Sequence, residues 1–224
     1  MLTDAECLRA ERFRFKRHRR RFVVRRAMRR VLLAHLTAAT PDKLLIEEPD
    51  RGKPTVRNGD TEFNASHTGD LGVIVTGNVP LGVDVESLDR SMDYLHFARH
   101  SFTKDEYRDI SQCRDDDLPV AFFNCWTGKE SYLKAIGLGL GKSLKSFAVQ
   151  CSPEQRAGLR WDAENQAAAR KWNMRRFTDG VHIVTVTEKL HSDSTEAEMN
   201  FLSPITLESG EPEVDPEGTV WQES

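Results

Sequence analysis

Phe122-Phe-Asn-Cys-Trp-Thr-Gly-Lys-Glu-Ser-Tyr-Leu-Lys-Ala-Ile-Gly-Leu-Gly139 reads as a helix that carries charge on one face and then stops at glycine. Glu130 and Lys134 are four residues apart, so they project from the same face one turn from each other. Trp126 stands one turn before Glu130, and Leu133 joins Phe122, Phe123 and Ile136 on an apolar stripe. Asp115 to Asp117 followed by Pro119 marks the start, with an aspartate cap and proline in the first turn. Gly137 and Gly139 mark the stop. Taken alone, Glu130 and Lys134 amount to a solvated ion pair worth about 0.2–0.5 kcal/mol.

Upstream stands Leu81-Gly-Val-Asp-Val-Glu-Ser87. Leu81, Val83 and Val85 alternate with Gly82, Asp84 and Glu86, which is the period of a strand with one apolar face. Asp84 and Glu86 then sit side by side on the other face, about 6.5 Å apart along the strand. Two carboxylates so placed repel unless a cation lies between them. A hard divalent ion that keeps several waters and binds phosphate oxygens needs only two or three such ligands. A lone Asp-x-Glu is also compatible with an ordinary half-exposed strand.

Two further segments precede these: Gly52-Lys53-Pro54 and Phe63-Asn64-Ala65-Ser66-His67-Thr68. Together with Gly82-Val-Asp84-Val-Glu86 and Trp126-Thr-Gly-Lys129-Glu130-Ser-Tyr-Leu-Lys134, they resemble the four motifs of the Sfp-type 4′-phosphopantetheinyl transferases, in that family's order. The resemblance runs from about Leu8 to Val186. It implies an α+β fold of two pseudo-symmetric halves with the site between them. The expected division is an amino-terminal half over residues 1–81, a carboxy-terminal half over 82–190 and an acidic tail over 191–224. The activity implied is Mg²⁺-dependent transfer of the phosphopantetheine arm of coenzyme A to a serine of an apo acyl or peptidyl carrier protein, releasing adenosine 3′,5′-bisphosphate. Such carriers serve fatty-acid, polyketide or nonribosomal-peptide synthesis.

By the same resemblance, Asp84, Glu86 and Glu130 are the metal ligands. Lys134 would neutralise the pyrophosphate or protonate the leaving oxygen, and Glu130 or a water on the ion would be the base. Arg9, Arg21, Lys53, Ser66, His67, Lys129 and Lys134 are the candidates for coenzyme A. Thr68 stands where the family usually shows serine, and Glu6 falls about where some relatives are basic. Phosphoryl transfer depends mostly on positioning and charge neutralisation, which suits this residue set.

At 224 residues the chain can bury a sizeable core. Its net charge of −3 is unevenly spread: residues 1–30 hold twelve Arg and Lys against three acids, and residues 191–224 hold nine acids and no Lys or Arg. The tail composition is compatible with disorder or with draping over the body. No stretch reaches the length of a membrane span, and the arginine-rich start has no apolar core followed by a cleavage site, so a cytoplasmic protein is expected; the length, that of two halves, makes a monomer the expected state. Cys7, Cys113, Cys125 and Cys151 lack metal or disulfide spacing and read as reduced thiols, mostly core.

Thr3-Asp-Ala-Glu6 and Thr103-Lys-Asp-Glu106 are capping boxes. The first opens two helices, or one bent helix, reaching Leu36, with the junction expected over Lys16 to Arg21. The second follows a break near Ser101 in a helical stretch from Ser91 to Ile110. Three readings compete for the arginines: a solvated face, a nucleic-acid surface, or a wall for a small polyanion. A nucleic-acid-binding protein is therefore the alternative function, and a catalytically silent carrier-binding protein a third. Lys43–Glu48, Leu71–Thr76, Ser146–Cys151, Trp172–Phe177 and Val181–Thr187 read as strands, the last two joined by a hairpin at Thr178-Asp179-Gly180. Asn58-Gly59-Asp60 is a turn signal, and Pro153–Ala169 is left as a connector. Gly137 to Ser143 is one residue too short, and wrongly placed after a helix, for a phosphate-binding P-loop.

Overall fold

The structure is a computed structural model that describes residues 2–37, 39–49, 52–57, 61–138, 141–190 and 222–223. The turn expected at residues 58–60 and nearly all of the acidic tail lie outside the described residues. The architecture is α+β, with the sheets antiparallel.

Helix α1 (Asp4–Glu11) opens with the Thr3–Glu6 capping box, and α2 runs Lys16–Leu36. The junction therefore falls at Arg12–Phe15, one turn earlier than expected, and Lys16 to Arg21 begin α2. The short strands β1 (Ile46–Glu47) and β2 (Thr55–Val56) pair with each other. Strands β3 (Glu62–Thr68) and β4 (Leu71–Gly77) form a hairpin. Leu33, Leu44, Val56 and Phe63 make a small core between α2 and these strands.

Strand β5 (Leu81–Ser87) leads into α3 (Tyr94–Ser101), α4 (Lys104–Ser111) and α5 (Leu118–Ile136). Asp117 precedes α5 without capping it, since its carboxylate accepts from Arg114 at 2.7 Å. Pro119 is in the first turn, and Gly137 ends the helix in the left-handed region at φ 72°, where a Cβ would be strained. Next come β6 (Phe147–Val149), β7 (Leu159–Asp162), α6 (Ala168–Lys171), β8 (Trp172–Thr178), β9 (His182–Lys189) and the two-residue β10 (Gln222–Glu223). β7 and α6 occupy the stretch read as a connector. The β7 sequence Leu-Arg-Trp-Asp is too short to show a period, and its pairing with β6 supplies the order.

Strands β10, β8, β9 and β5 form one sheet in that order. One face carries Val83, Val85, Phe177, Val184 and Val186, against which Leu71, Val73 and Val75 of β4 pack. The other face meets α5, whose Phe122, Phe123, Tyr132 and Leu133 belong to the largest core, shared with α3, α4, β6 and β7. Strand β5 is thus covered on both sides, and Leu81 through Val85 are all buried. A strand with polar residues at alternate positions had suggested a half-exposed one.

Candidate active site

Helix α5 is seated on β5 and β9 by small and hydroxyl-bearing residues. A Cβ on Gly82 would lie 2.2 Å from the Ser131 carbonyl oxygen and 2.4 Å from the Ala135 nitrogen, so only glycine permits this approach. Alongside it, the Thr127 and Thr185 hydroxyls are 2.7 Å apart, and those of Ser131 and Thr187 2.8 Å apart. These buried bonds fix the helix along its axis and in rotation. In the β5–β9 register Gly82 opposes Thr187 and Asp84 opposes Thr185, so Gly82, Asp84 and Glu86 share the face that α5 covers. The helix face bearing Glu130 and Lys134 is thereby laid beside Asp84.

Lys134 donates from Nζ to Asp84 Oδ1 at 2.6 Å, to the Val83 carbonyl at 3.0 Å and to Ser66 Oγ at 3.0 Å. Ser66 in turn donates to the same Asp84 oxygen at 2.8 Å. The other oxygen, Oδ2, is buried with no hydrogen-bond partner. Glu86 lies 3.7 Å from Arg90, with the Trp126 side chain nearby. Burial, then the negative charge of Asp84, pushes the Glu86 carboxyl above its ordinary value; Arg90, Trp126 and Lys134 oppose this. Burial, then Asp84 and Glu86, likewise pushes Glu130 upward against the pull of Lys134. The three acids therefore feel one another as like charges gathered in a partly dry site. Their ligand oxygens do not all come within 4.8 Å of each other; among the described residues that closeness occurs at Glu106, Cys125 and Cys151.

The remaining candidates divide. His67 is exposed on β3, and burial of its ring, then Arg25, Lys134 and Arg21, holds its pKa below the usual histidine value. Arg21 spans to the β3–β4 turn, where its guanidinium grips both oxygens of Asp70 at 2.6 and 3.0 Å. Arg9 is exposed on α1, lining an open groove with Leu8 and Arg12.

Two expectations need correction. Lys129 is fully buried: it donates to the Leu144 and Phe147 carbonyls at 2.7 and 2.6 Å and pairs with Glu106 at 2.9 Å. It is one residue from Glu130 and so faces the α4–β6 core rather than any nucleotide. Lys53, a candidate for coenzyme A, forms a 2.5 Å ion pair with Glu62.

Two further residues border the candidate site. Arg25 is close enough to His67 for its charge to lower the histidine pKa, and its own pKa is lowered by burial and by Arg21 and Arg26. A single arginine has no distinguishing signal in a run of twelve cations. Asn64 accepts the Val83 N–H at 2.9 Å and so ties β3 to the edge of β5. Its place two residues before Ser66, hence on the same face of β3, was the available clue.

Comparison with known proteins gives the family. The family profile described as the 4′-phosphopantetheinyl transferase superfamily matches residues 80–187, and that described as 4′-phosphopantetheinyl transferase, N-terminal, matches residues 1–79. The chain is 32% identical over 163 residues to 4′-phosphopantetheinyl transferase HetI of Nostoc sp., covering 70% of this chain and 68% of that protein. The chain belongs to the 4′-phosphopantetheinyl transferase family. Similarity to 4′-phosphopantetheinyl transferase psf-1 of Bacillus pumilus is 33% over 152 residues, 67% of this chain and 64% of that relative. Similarity to Sfp of Bacillus subtilis is 34% over 100 residues, 44% of each chain. The superfamily match spans β5 and α5, which carry the three acids and Lys134; the amino-terminal match includes Ser66 and His67.

Proposed function

We infer that the protein transfers the phosphopantetheine arm of coenzyme A to a serine of an apo carrier protein, with Mg²⁺ held by Asp84, Glu86 and Glu130. The observation that carries the reading is Asp84 Oδ2, a buried carboxylate oxygen without a partner beside two acids whose charges it disfavours. A buried acceptor in that position is costly unless a cation meets it, and three carboxylates are a hard-cation donor set. Mg²⁺ bound there would supply charge neutralisation at the pyrophosphate.

The chain's own groups do the rest. His67, whose pKa is held below its ordinary value first by burial and then by nearby cations, can donate one ring N–H to a coenzyme A phosphate oxygen. Glu130, whose proton affinity is raised, is suited to accept the carrier serine proton at its carboxylate. The serine oxygen then bonds to the phosphorus bearing the pantetheine arm as the bond to the bridging oxygen breaks. Adenosine 3′,5′-bisphosphate leaves with the bond's electron pair.

Arg26, Arg29 and Arg30, which a nucleic-acid surface would need on an outer face, are turned instead to Glu6 and Glu48. No helix among the described residues is long and apolar enough to cross a membrane. The four cysteines are unpaired thiols, which suits a reducing, cytoplasmic setting.

The test is mass spectrometry of an apo carrier protein incubated with the enzyme, coenzyme A and Mg²⁺. A gain of one phosphopantetheine is expected, and is lost in Glu86→Ala while that variant's thermal stability is retained. No gain with acyl or peptidyl carriers, or full transfer by Glu86→Ala, would overturn the assignment.

A further inference from the structure

We propose that His96 and His100, on the outer face of α3, form a binding site for a divalent ion of the zinc, nickel and copper class. The site is separate from the three acids, and the proposal does not depend on the transfer reading. Of the seven histidines in the chain, only these two stand four residues apart. That spacing sets them one helical turn from each other on one face. Helix α3 is seated so that this face looks outward. Tyr94 and Phe97 pack on Phe122, Phe123 and Trp126 of α5, and Ala98 is fully buried, whereas His96 and His100 are exposed. Asp93 caps the helix by accepting the His96 N–H at 2.9 Å, so the turn that carries both rings is anchored at its start.

The rings already stand close to chelating distance. Their centroids are 4.4 Å apart and their planes 33° from each other. An imidazole nitrogen binds zinc at about 2.0–2.1 Å, which puts each ring centroid about 3.2 Å from the ion. Two such rings at about 90–109° around one ion have centroids about 4.5–5.2 Å apart, so a small turn of the side chains closes the site. His100 Nδ1 lies 2.8 Å from the His96 carbonyl oxygen, a contact it makes as the donor. In the neutral ring the proton is then on Nδ1 and the lone pair on Nε2, the arrangement in which a carbonyl holds one nitrogen and the metal takes the other. Imidazole suits zinc, nickel and copper, whereas magnesium takes oxygen ligands, so this ion differs in class from the one the acids would hold. Asp93 shares the stripe, but among the described residues its oxygens are not gathered with both rings within 4.8 Å. Two protein ligands leave the other positions to water, and Arg99 beside them is a like charge. The site is therefore exchangeable, responding to free ion, unlike a structural centre closed by four protein ligands.

The test is calorimetric titration of the full chain with Zn²⁺ in excess Mg²⁺, added to mask binding at the acids. Zn²⁺ bound elsewhere is common to every variant and cancels in the comparison. Wild type is set against His96→Gln, His100→Gln, the double variant, and Leu95→His/His96→Gln, which keeps seven histidines but places the pair five apart. Wild type should bind one Zn²⁺ more than the double variant. Each single variant should lose at least about tenfold in affinity for that ion, because a lost ligand costs no less than a lost outer-shell partner. The five-apart variant should bind as weakly as His96→Gln. His35→Gln, which removes an exposed histidine of α2, should bind as wild type does. Without Zn²⁺ the glutamine variants should melt within about 2 °C of wild type, since the side chains they replace are exposed. Identical titrations of wild type and the double variant overturn the proposal. So does wild-type affinity in the five-apart variant, which would make the number of histidines matter and not their spacing. Loss of the extra ion in His35→Gln would move the site to α2 and overturn it as well.

Discussion

Replacing Gly82 with alanine tests whether the contact between α5 and β5 builds the site. The added Cβ would stand 2.2 Å from the Ser131 oxygen, 2.4 Å from the Ala135 nitrogen and 3.0 Å from the Ala135 Cα. A carbon beside a carbonyl oxygen settles at about 3.3 Å or more, so helix and strand must part by about 1 Å. Every clashing atom is helix backbone, so no change of rotamer can absorb the methyl group. Overpacking of this kind costs about 1–3 kcal/mol. Lengthening the Thr127–Thr185 and Ser131–Thr187 bonds, now 2.7 and 2.8 Å, adds to it, at about 1 kcal/mol for each bond lost. The same shift carries Glu130 and Lys134 away from Asp84, and a displacement of about 1 Å at a reacting centre can cost about a hundredfold in rate. Urea unfolding should show a loss of about 3 kcal/mol. Carrier loading at saturating coenzyme A and Mg²⁺ should fall about a hundredfold in the fraction that remains folded. A variant within about 0.5 kcal/mol of wild type and within twofold of its rate would show that this contact does not set the geometry.

Two more predictions concern groups outside the acid cluster. Lys129→Met should destabilise the fold by about 3–5 kcal/mol, because it leaves Glu106 buried without its cation; the Lys129→Met/Glu106→Gln pair should recover part of that. Equilibrium unfolding measures both, and a stable Lys129→Met with weakened coenzyme A binding would restore Lys129 to the nucleotide. Asp162 is the second case. Burial alone would raise its carboxyl, but Lys142, Tyr132 and the Glu164 N–H hold it below the ordinary value. Its stabilising contribution is therefore present above the unfolded-state pKa and is lost as pH falls through the lower folded-state value. Asp162→Asn should flatten that part of the acid limb in thermal melts from pH 6 downward; an unchanged slope would mean the Lys142 pair adds nothing.

Much of the site was legible because strand and helix periods are local. Alternation placed Asp84 and Glu86 on one face of β5, and the four-residue spacing placed Glu130 and Lys134 on one face of α5. Capping boxes at Thr3 and Thr103 and the stop at Gly137 were equally local, since each requires only residues within one helical turn. Lys129 shows the limit. Nothing within its own helix reveals that Glu106, 23 positions earlier, lies buried against it. The capping-box glutamate uses one oxygen on Thr103 and the other on Lys129 and the Val149 N–H, a second task only a distant element could assign.

The sequence by itself determined which residues share a face, because backbone geometry repeats every two residues in a strand and every 3.6 in a helix. Only the tertiary structure decided which faces meet and which groups pair. Those outcomes depend on contacts between segments far apart in the chain: Gly82 under Ser131, Ser66 on Asp84, Lys134 bridging the two. Packing and hydrogen bonding at such crossings are not encoded in any local period.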